Sequence, residues 1–423
     1  MHRLKINPDW VAAILSVCVQ VPLAVFLGHY YDQTIFLQTG YLVAQGLNPY
    51  QPHYIAVFPN PYLNGVSNII GYPPPWTFIL GLTYRLTYAF TPNIYLYNFA
   101  TKIPIIASNI ALAYVTKTVM EKQNMPQRLV QFAWLFLLFN PYTLLTSAAW
   151  GEFDTTVALL CVIGVYLLSK GKSLESAIVL AVGFVLKPIS LPLFGLPLLY
   201  AARKNPRKII PVFLTIAFVV GCLWFLPFYL VGWSAPASQG QVSSYFEMAG
   251  GMTPFNIIDV FWRTSTLPSE LWFLGYLWIP ALLVGYVWVY RKSPKTLVSL
   301  TEAALVLLLI FFISRSWLSE QNLNLLFPFM LILIGAGMLK ARSVHLVWLV
   351  GLVFLVLNLS LLQLMFLVYP DVISLKLAFD ASFGTARLAA RFAVAVVWLI
   401  VALGILYAVN RFDARKSLNG APT

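Results

Sequence analysis

Apolar runs of about 17–25 residues, each long enough to cross a hydrocarbon core of roughly 30 Å, recur from Trp10 to Tyr407 with short polar breaks between them. Runs of that length predict an all-α polytopic membrane protein. Lys and Arg gather in the breaks as small clusters: Arg3/Lys5, Lys117/Lys122/Arg128, Lys170/Lys172, Arg203/Lys204/Arg207/Lys208, Arg291/Lys292/Lys295, Lys340/Arg342 and Arg411/Arg415/Lys416. Such clusters stay on the cytoplasmic side, and one threading satisfies them all. Its spans run near 10–28, 93–117, 128–148, 154–169, 175–187, 189–202, 208–228, 271–290, 297–313, 323–339, 344–368 and 386–409. This is about 12 transmembrane helices (11–13), with both termini inside.

The same threading leaves a long first outer loop, about 29–92, with two juxtamembrane helices. From Thr34 onward, Thr34, Gln38, Tyr41 and Gln45 recur at helical spacing, while Ile35, Phe36, Leu42, Val43 and Leu47 fill the other side. That pattern predicts a helix lying along the membrane surface, ended by Gly46 and Asn48-Pro49. The stretch "YPPPWTFILGLTYRLTYAF" at 72–90 would invert every later cluster if it crossed, so it is read as lying in or dipping into the outer interface. The short spans 175–187 and 189–202 meet at "LKPISLP", a hairpin that only just reaches the outer surface. Further outer loops fall at 229–270, 314–322 and 369–385; the first, with "SAPASQGQVSSYFEMAGGMTPFN", reads as a mobile connection.

Composition narrows the picture. Only 10% of residues are charged and 60% are hydrophobic, against roughly a quarter charged in soluble domains, which leaves no room for a large soluble domain. The net charge of +13 could suit nucleic acid, but the cations form no basic face, so no nucleic-acid partner is expected. "MHRLKINPDW" leads into a run without a small-residue cleavage site, and is read as a retained first span. Cys18, Cys161 and Cys222 each stand alone inside an apolar span, without metal-ligand spacing.

Charge at membrane depth is costly and invites a functional reading. Asp32 ends the first span; "SAAWGEFDTT" sets Glu152 and Asp154 at the next outer turn; "SRSWLSEQNLNLLFP" carries Arg315, Trp317, Glu320 and Gln321; and Lys187 tips the short hairpin. Carboxylates near cations suit transfer from a phosphorylated donor, because a carboxylate takes the proton of an attacking hydroxyl and cations hold the leaving phosphate. Each also has a plainer reading: Asp32 as a solubilising helix end, Glu152 and Asp154 as N-terminal dipole partners, Glu320 as a mate for Arg315, Lys187 as a snorkelling lysine. His29 and His53 could help Asp32 hold a metal. Trp76, Trp150, Trp233 and Trp317 stand where a sugar ring could stack, although most such residues form an interfacial belt.

With these residues aligned, the chain resembles the GT-C superfamily of membrane glycosyltransferases. "YYDQTIFLQTGYLVAQGLNPY" resembles its first outer loop, in which an acidic residue precedes a juxtamembrane helix; "GYPPPWTFILGL" resembles the start of its second juxtamembrane helix. "NPYTLLTSAAWGEFDTTVALL" is similar to the Gly-Gln-Phe-Asp-like turn of lipid-linked mannosyl- and glucosyltransferases, with Glu152 where glutamine is common, and "SEQNLNLLFPFML" to the late outer-loop motif.

The resemblance implies a GT-C fold with a catalytic module over 1–228 and a variable transmembrane module over 229–423. It implies an inverting transfer of a hexose, mannose above all, from a polyprenyl- or dolichyl-phosphate sugar donor to a lipid-linked glycan acceptor, among membrane lipids. Asp32 would be the general base. Glu152, Asp154 and Glu320 would shape the acceptor site or assist a metal, and Lys187, Arg315 and Arg263 would hold the donor phosphate. Thr34 stands where some members have a second aspartate, which leaves a divalent metal open. The expected setting is a multi-pass membrane protein of a prokaryotic plasma membrane or the endoplasmic reticulum, with an extracytoplasmic site. The competing classes are a transporter or flippase, disfavoured because neither internal repeats nor broken midplane helices are evident, and a non-catalytic subunit of a glycan-assembly complex.

Overall fold

The structure is a computed structural model and describes residues 7–57, 61–233 and 245–418. Its helices are α1 (Pro8–Phe26), α2 (Tyr30–Ala44), α3 (Pro74–Leu86), α4 (Ile94–Lys122), α5 (Gln127–Ala149), α6 (Asp154–Ser169), α7 (Ser173–Leu186), α8 (Leu196–Lys204), α9 (Pro206–Val231), α10 (Ser269–Lys292), α11 (Leu297–Ser314), α12 (Glu320–Gly335), α13 (Ala341–Leu357) and α14 (Val372–Leu418). Among the described residues, 7 of these helices are long and apolar enough to span, namely α1, α4, α5, α9, α10, α11 and α14. An eighth is α13 taken with Ser360–Leu367, bent by 68°. Shorter apolar helices α6, α7 and α12 coincide with further expected spans. The expected span at 189–202 is broken into Pro188–Ser190, Leu191–Phe194 and α8, because Pro188, Pro192 and Pro197 each remove a backbone donor. The chain is therefore an integral multi-pass membrane protein.

Two ends of the bundle can be told apart by their charges. At one end, Lys117 near the close of α4 pairs with Asp9 in the first turn of α1, and Lys292 pairs with Glu302. Since α1 and α4 run antiparallel with these charges together, their opposite ends also meet. There the chain leaves α1 at Leu27 and enters α4 at Ile94, with the first loop between them.

That loop carries α2 and α3, which pack on each other and against α4. At 13 residues, α3 extends about 20 Å, too short to span, as expected for a helix at the interface. Helix α2 differs from its expected setting: it starts at Tyr30 and so places Asp32 in its first turn. Its polar side is covered at Gln38, which accepts from the Asn68 backbone amide at 3.0 Å next to the hairpin β1 (Tyr54–Ala56)–β2 (Asn64–Val66), while Gln45 stays exposed. A buried amide must find such partners, so the hairpin replaces water over that face.

Inside the bundle, polar side chains join helices where lipid could not solvate them. Asn109 of α4 donates to Gln20 of α1 at 2.6 Å and to Ser147 of α5 at 2.8 Å. Lys102, also on α4, is buried and donates to the carbonyls of Leu27 and Ala149, both at 2.6 Å. Those carbonyls close α1 and α5, where helix dipoles carry partial negative charge. Gly151 lies alongside at φ +101°, and a β-carbon there would sit 3.0 Å from the Lys102 Cε.

The second outer loop is less open than a mobile connection. Residues 234–244 of the expected loop lie outside the described residues. From Tyr245 on, the chain is stitched to the loop after α11: β3 (Gly250–Gly251) pairs in parallel with β4 (Trp317–Leu318), and Ser316 donates to the Met248 carbonyl at 2.6 Å. At Gly251, φ is +59° and a β-carbon would fall 2.1 Å from the Leu318 carbonyl oxygen. At 47 residues, α14 extends about 70 Å, far beyond the hydrocarbon thickness, so part of it stands outside the membrane. Replacing Lys102 by Met should leave the buried Ala149 carbonyl without its donor, while the Leu27 carbonyl keeps Asn98 at 2.8 Å, and cost roughly 1–3 kcal/mol, read as a lower unfolding midpoint in detergent; an unchanged midpoint would contradict the clamp.

Candidate active site

Asp32 is fixed by two aromatic neighbours. Trp150 donates its indole N–H to Asp32 Oδ2 at 2.6 Å, and His29 Nδ1 lies 3.1 Å from the same oxygen. The His29 and Trp150 rings stack with centroids 4.1 Å apart. Trp150 reaches this position because α5 ends in a π turn, Leu145–Ala149, whose extra residue per turn re-aims the following side chain. Burial raises the Asp32 pKa, but the His29 hydrogen bond and charge, the Trp150 donor and the Lys187 charge together hold it below the ordinary carboxylate value. It stays ionised at neutral pH.

A second cluster lies beside it. Lys187, in the break after α7, donates to Glu152 Oε2 and Asp154 Oδ2, each at 2.7 Å. Asp154 opens α6, where the helix dipole favours an acid, and its other oxygen accepts from Asn322 at 2.8 Å. Glu152 also accepts from the Tyr72 hydroxyl at 3.0 Å. All three charged side chains are buried. One cation serves two carboxylates, so burial, with Asp32 and Asp154 adding repulsion, pushes Glu152 up to about 7 despite the pull of Lys187. Lys187 is in turn raised: its two carboxylates outweigh the burial that would lower it.

Two cavities meet at Asp32. One, of about 390 Å³, is walled by Ile35, Phe36, Ile70 and Ile189 and reached by Lys187 and Arg315. Arg315 is buried, with its guanidinium 4.0 Å from the Tyr245 ring centroid. The other, of about 370 Å³, is polar, lined by Glu152, Glu320 and Gln321 together with Lys376, Arg387 and Arg391 of α14. Tyr31, Asp32, Tyr72, Trp317 and Gln321 line both.

Most sequence candidates converge here, and some do not. Glu320 belongs to the polar cavity, where its carboxylate accepts from Asn358 at 2.9 Å and Ser360 at 2.8 Å. Arg263 stands apart: it donates to Thr385 at 2.5 Å and lines a separate hollow with residues 380–386. Trp76 is core, stacked on Phe153 at 4.0 Å and walling neither cavity. Trp233 stacks on Phe78 at 5.6 Å. Trp150 is taken up by His29 and Asp32, leaving Trp317 as the indole between the cavities. His53 lies 2.8 Å from the Asn48 carbonyl and serves the loop. Among the described residues, no group of three or more His, Cys, Asp or Glu side chains is arranged to hold a metal ion. Sequence reasoning missed Tyr72, Asn322, Tyr245 and the cations of α14. The Tyr-Pro-Pro start of α3 was the available signal for Tyr72; the others find partners on separate elements, as Asn322 does at Asp154 and Arg391 at Asp259, and leave no local pattern.

A family model described as Glycosyltransferase family 87 matches residues 71–332, more than half of the chain. That span holds Glu152, Asp154, Lys187, Arg315 and Glu320, while Asp32 and α14 lie outside it. No curated protein matches. Among solved structures, ArnT from Cupriavidus metallidurans bound to undecaprenyl phosphate is similar at 14% identity and TM-score 0.46, covering 96% of this chain and 77% of that one. The same protein in the apo state is similar at 14% identity and TM-score 0.49, covering 95% and 76%.

The raised Glu152 carboxyl has a consequence for stability. With its folded pKa near 7 above an ordinary 4.5, it favours the folded state fully at low pH and loses that contribution as pH rises from about 4.5 to 7. Melting temperatures across that window should fall less steeply for Glu152→Gln than for the native protein; equal slopes would refute the assignment.

Proposed function

The chain belongs to glycosyltransferase family 87, as expected of a GT-C membrane glycosyltransferase, and from that premise we propose that it moves a hexose from a polyprenyl-phosphate donor to a lipid-linked glycan. Mannose is the expected sugar, and the reaction inverts the anomeric centre on the extracytoplasmic side. The observation that carries this reading is an ionised carboxylate, Asp32, fixed where an apolar cavity with buried cations meets a polar one. The cavity walled by Ile35, Phe36, Ile70 and Ile189 and reached by Lys187 and Arg315 suits an isoprenoid phosphate.

In this mechanism the acceptor oxygen forms a bond to the anomeric carbon while the bond from that carbon to the phosphate oxygen breaks. The phosphate leaves with the electron pair, and Asp32 takes the acceptor proton. A carboxylate this acidic draws the proton late, once the hydroxyl has bonded to carbon and become acidic. Arg315 neutralises the leaving phosphate. Lys187 spends two of its three ammonium donors on Glu152 and Asp154, and the third remains for a phosphate oxygen. Glu152, Asp154 and Glu320 border the acceptor side, and Trp317 is the stacking surface for a sugar. A single displacement, with the acceptor oxygen attacking opposite the leaving phosphate, accounts for inversion.

Asp32→Asn keeps the shape and removes the base. Transfer from a synthetic polyprenyl-phosphate mannose should fall by about 10²–10⁴-fold with the melting temperature near native. Transfer at the native rate would remove Asp32 from the mechanism. Trp150→Phe keeps the His29 stack and loses the N–H donor; its transfer rate should drop by at least about tenfold, since a hydrogen bond to a charged group contributes roughly 1.5–3 kcal/mol. A native rate in this variant would show that the indole does not position the base.

A further inference from the structure

We propose that Glu320 reads a second hydroxyl of the acceptor, beside the one that Asp32 deprotonates, and that Asn358 and Ser360 are the positioning residues that aim it. The acceptor is then a sugar or polyol with two hydroxyls in fixed relation, and Glu320 decides which of them is glycosylated. This rests on the glycosyltransferase reading and adds the origin of its linkage specificity.

Asp32 and Glu320 line the same polar cavity, and each carboxylate is tied at one oxygen only. On Asp32, Trp150 and His29 both meet Oδ2, and Oδ1 has no partner among the described residues. On Glu320, Asn358 donates to Oε1 at 2.9 Å and the Ser360 hydroxyl donates to the same oxygen at 2.8 Å, while Oε2 has no partner among the described residues. Such a carboxylate keeps its remaining oxygen as an acceptor. A buried carboxylate that served only to tie the neighbouring chain would have both oxygens satisfied; this one leaves Oε2 for a ligand. Two open oxygens on one cavity match two hydroxyls of one ring.

The backbone around Glu320 is shaped to this end. Helix α13 ends at Leu357, and the chain turns by 68° before Ser360–Leu367. Leu359 makes the turn at φ 58°, ψ 18°, where a bulky side chain is a steric outlier and glycine or asparagine is usual. Strain of that kind persists where the surroundings require it and clusters at functional sites. Its outcome here is that the side chains flanking Leu359 converge on one Glu320 oxygen, with Asn358 also donating to Ser360 at 3.1 Å. The Tyr142 hydroxyl of α5 donates to the Glu320 backbone carbonyl and fixes the other end of the residue. Arg391, which lies 3.2 Å from Asp259, is also within electrostatic reach of Glu320 and offsets part of the cost of burying an anion there.

The test uses the full chain in neutral detergent with a synthetic polyprenyl-phosphate mannose as donor, and octyl α-mannopyranoside and each of its monodeoxy derivatives as acceptors. Linkage analysis of the product identifies the attacked hydroxyl. Among the deoxy forms that keep it, one should lose roughly 10- to 100-fold in kcat/KM with the native protein, the loss expected when a hydrogen bond to a charged group is missing. In Glu320→Gln that penalty should shrink to severalfold and a second linkage should appear in the product. Ser360→Ala should shrink it partway, raising the acceptor KM while kcat and the donor KM stay near native; a merely structural role would not act on one deoxy acceptor alone. A penalty of equal size in the native protein and Glu320→Gln would overturn the proposal. So would equal use of every deoxy form that keeps the attacked hydroxyl, a result read on the native protein with no variant to fold. Transfer that depends on Asp32 alongside either result would sink this inference and leave the enzyme reading standing. Transfer to none of the acceptors would refute the enzyme reading and this inference with it.

Discussion

One ammonium group shared between two buried carboxylates holds this end of the molecule together. Lys187 follows α7, Asp154 opens α6, and Glu152 lies in the turn between α5 and α6. Through Asn322 the cluster reaches the start of α12, and through Tyr72 it reaches the segment leading into α3. Desolvating three charges is expensive and is offset only by close geometry and full hydrogen bonding. Both are present: two contacts at 2.7 Å, further donors on each acid, and the Tyr72 and Phe153 rings facing the ammonium. Removing one partner of such a cluster typically costs about 3–5 kcal/mol, so the elements around the site stand or fall with it.

The shortage of cations also separates the roles of the acids. Glu152 and Asp154 divide one lysine, and Glu152 is driven toward its neutral form. Asp32 answers to an indole and an imidazole, with Lys187 farther off, and remains a carboxylate. Environments that push neighbouring acids apart assign them different work: Asp32 can accept a proton, whereas Glu152 and Asp154 hold Lys187 in place. Lys102 supports this from beneath by tying the carbonyl ends of α1 and α5, the two helices that deliver His29 and Trp150.

Much of this was legible in the chain because the membrane imposes simple arithmetic on it. Spans, basic clusters and the break at "LKPISLP" follow from length and charge, and each expected span coincides with helical structure. Asp32, Glu152, Asp154, Lys187, Arg315 and Glu320 stood out because charge is scarce in so apolar a chain, and they do converge. What failed to show was partner choice. Trp76 and Trp150 look alike in sequence, yet one stacks in the core and the other donates to Asp32 through a π turn that no residue pattern marks. Arg263 shares its loop with the β3 pairing yet points to residues 380–386. Lys376 lies in a loop threaded as outer but unassigned, and becomes notable only when α14 folds over the polar cavity.

The central claim is that the donor phosphate sits against Arg315 with its anomeric carbon exposed to Asp32. A structure of the protein with a non-transferable phosphonate analogue of a polyprenyl-phosphate hexose tests it most directly. The account predicts the phosphonate beside Arg315 and Lys187, the isoprenoid along Ile35, Phe36 and Ile70, and the open face of the anomeric carbon turned toward the Asp32 carboxylate. A phosphonate lodged against Lys376 and α14, with the isoprenoid leaving through the polar cavity, would contradict it.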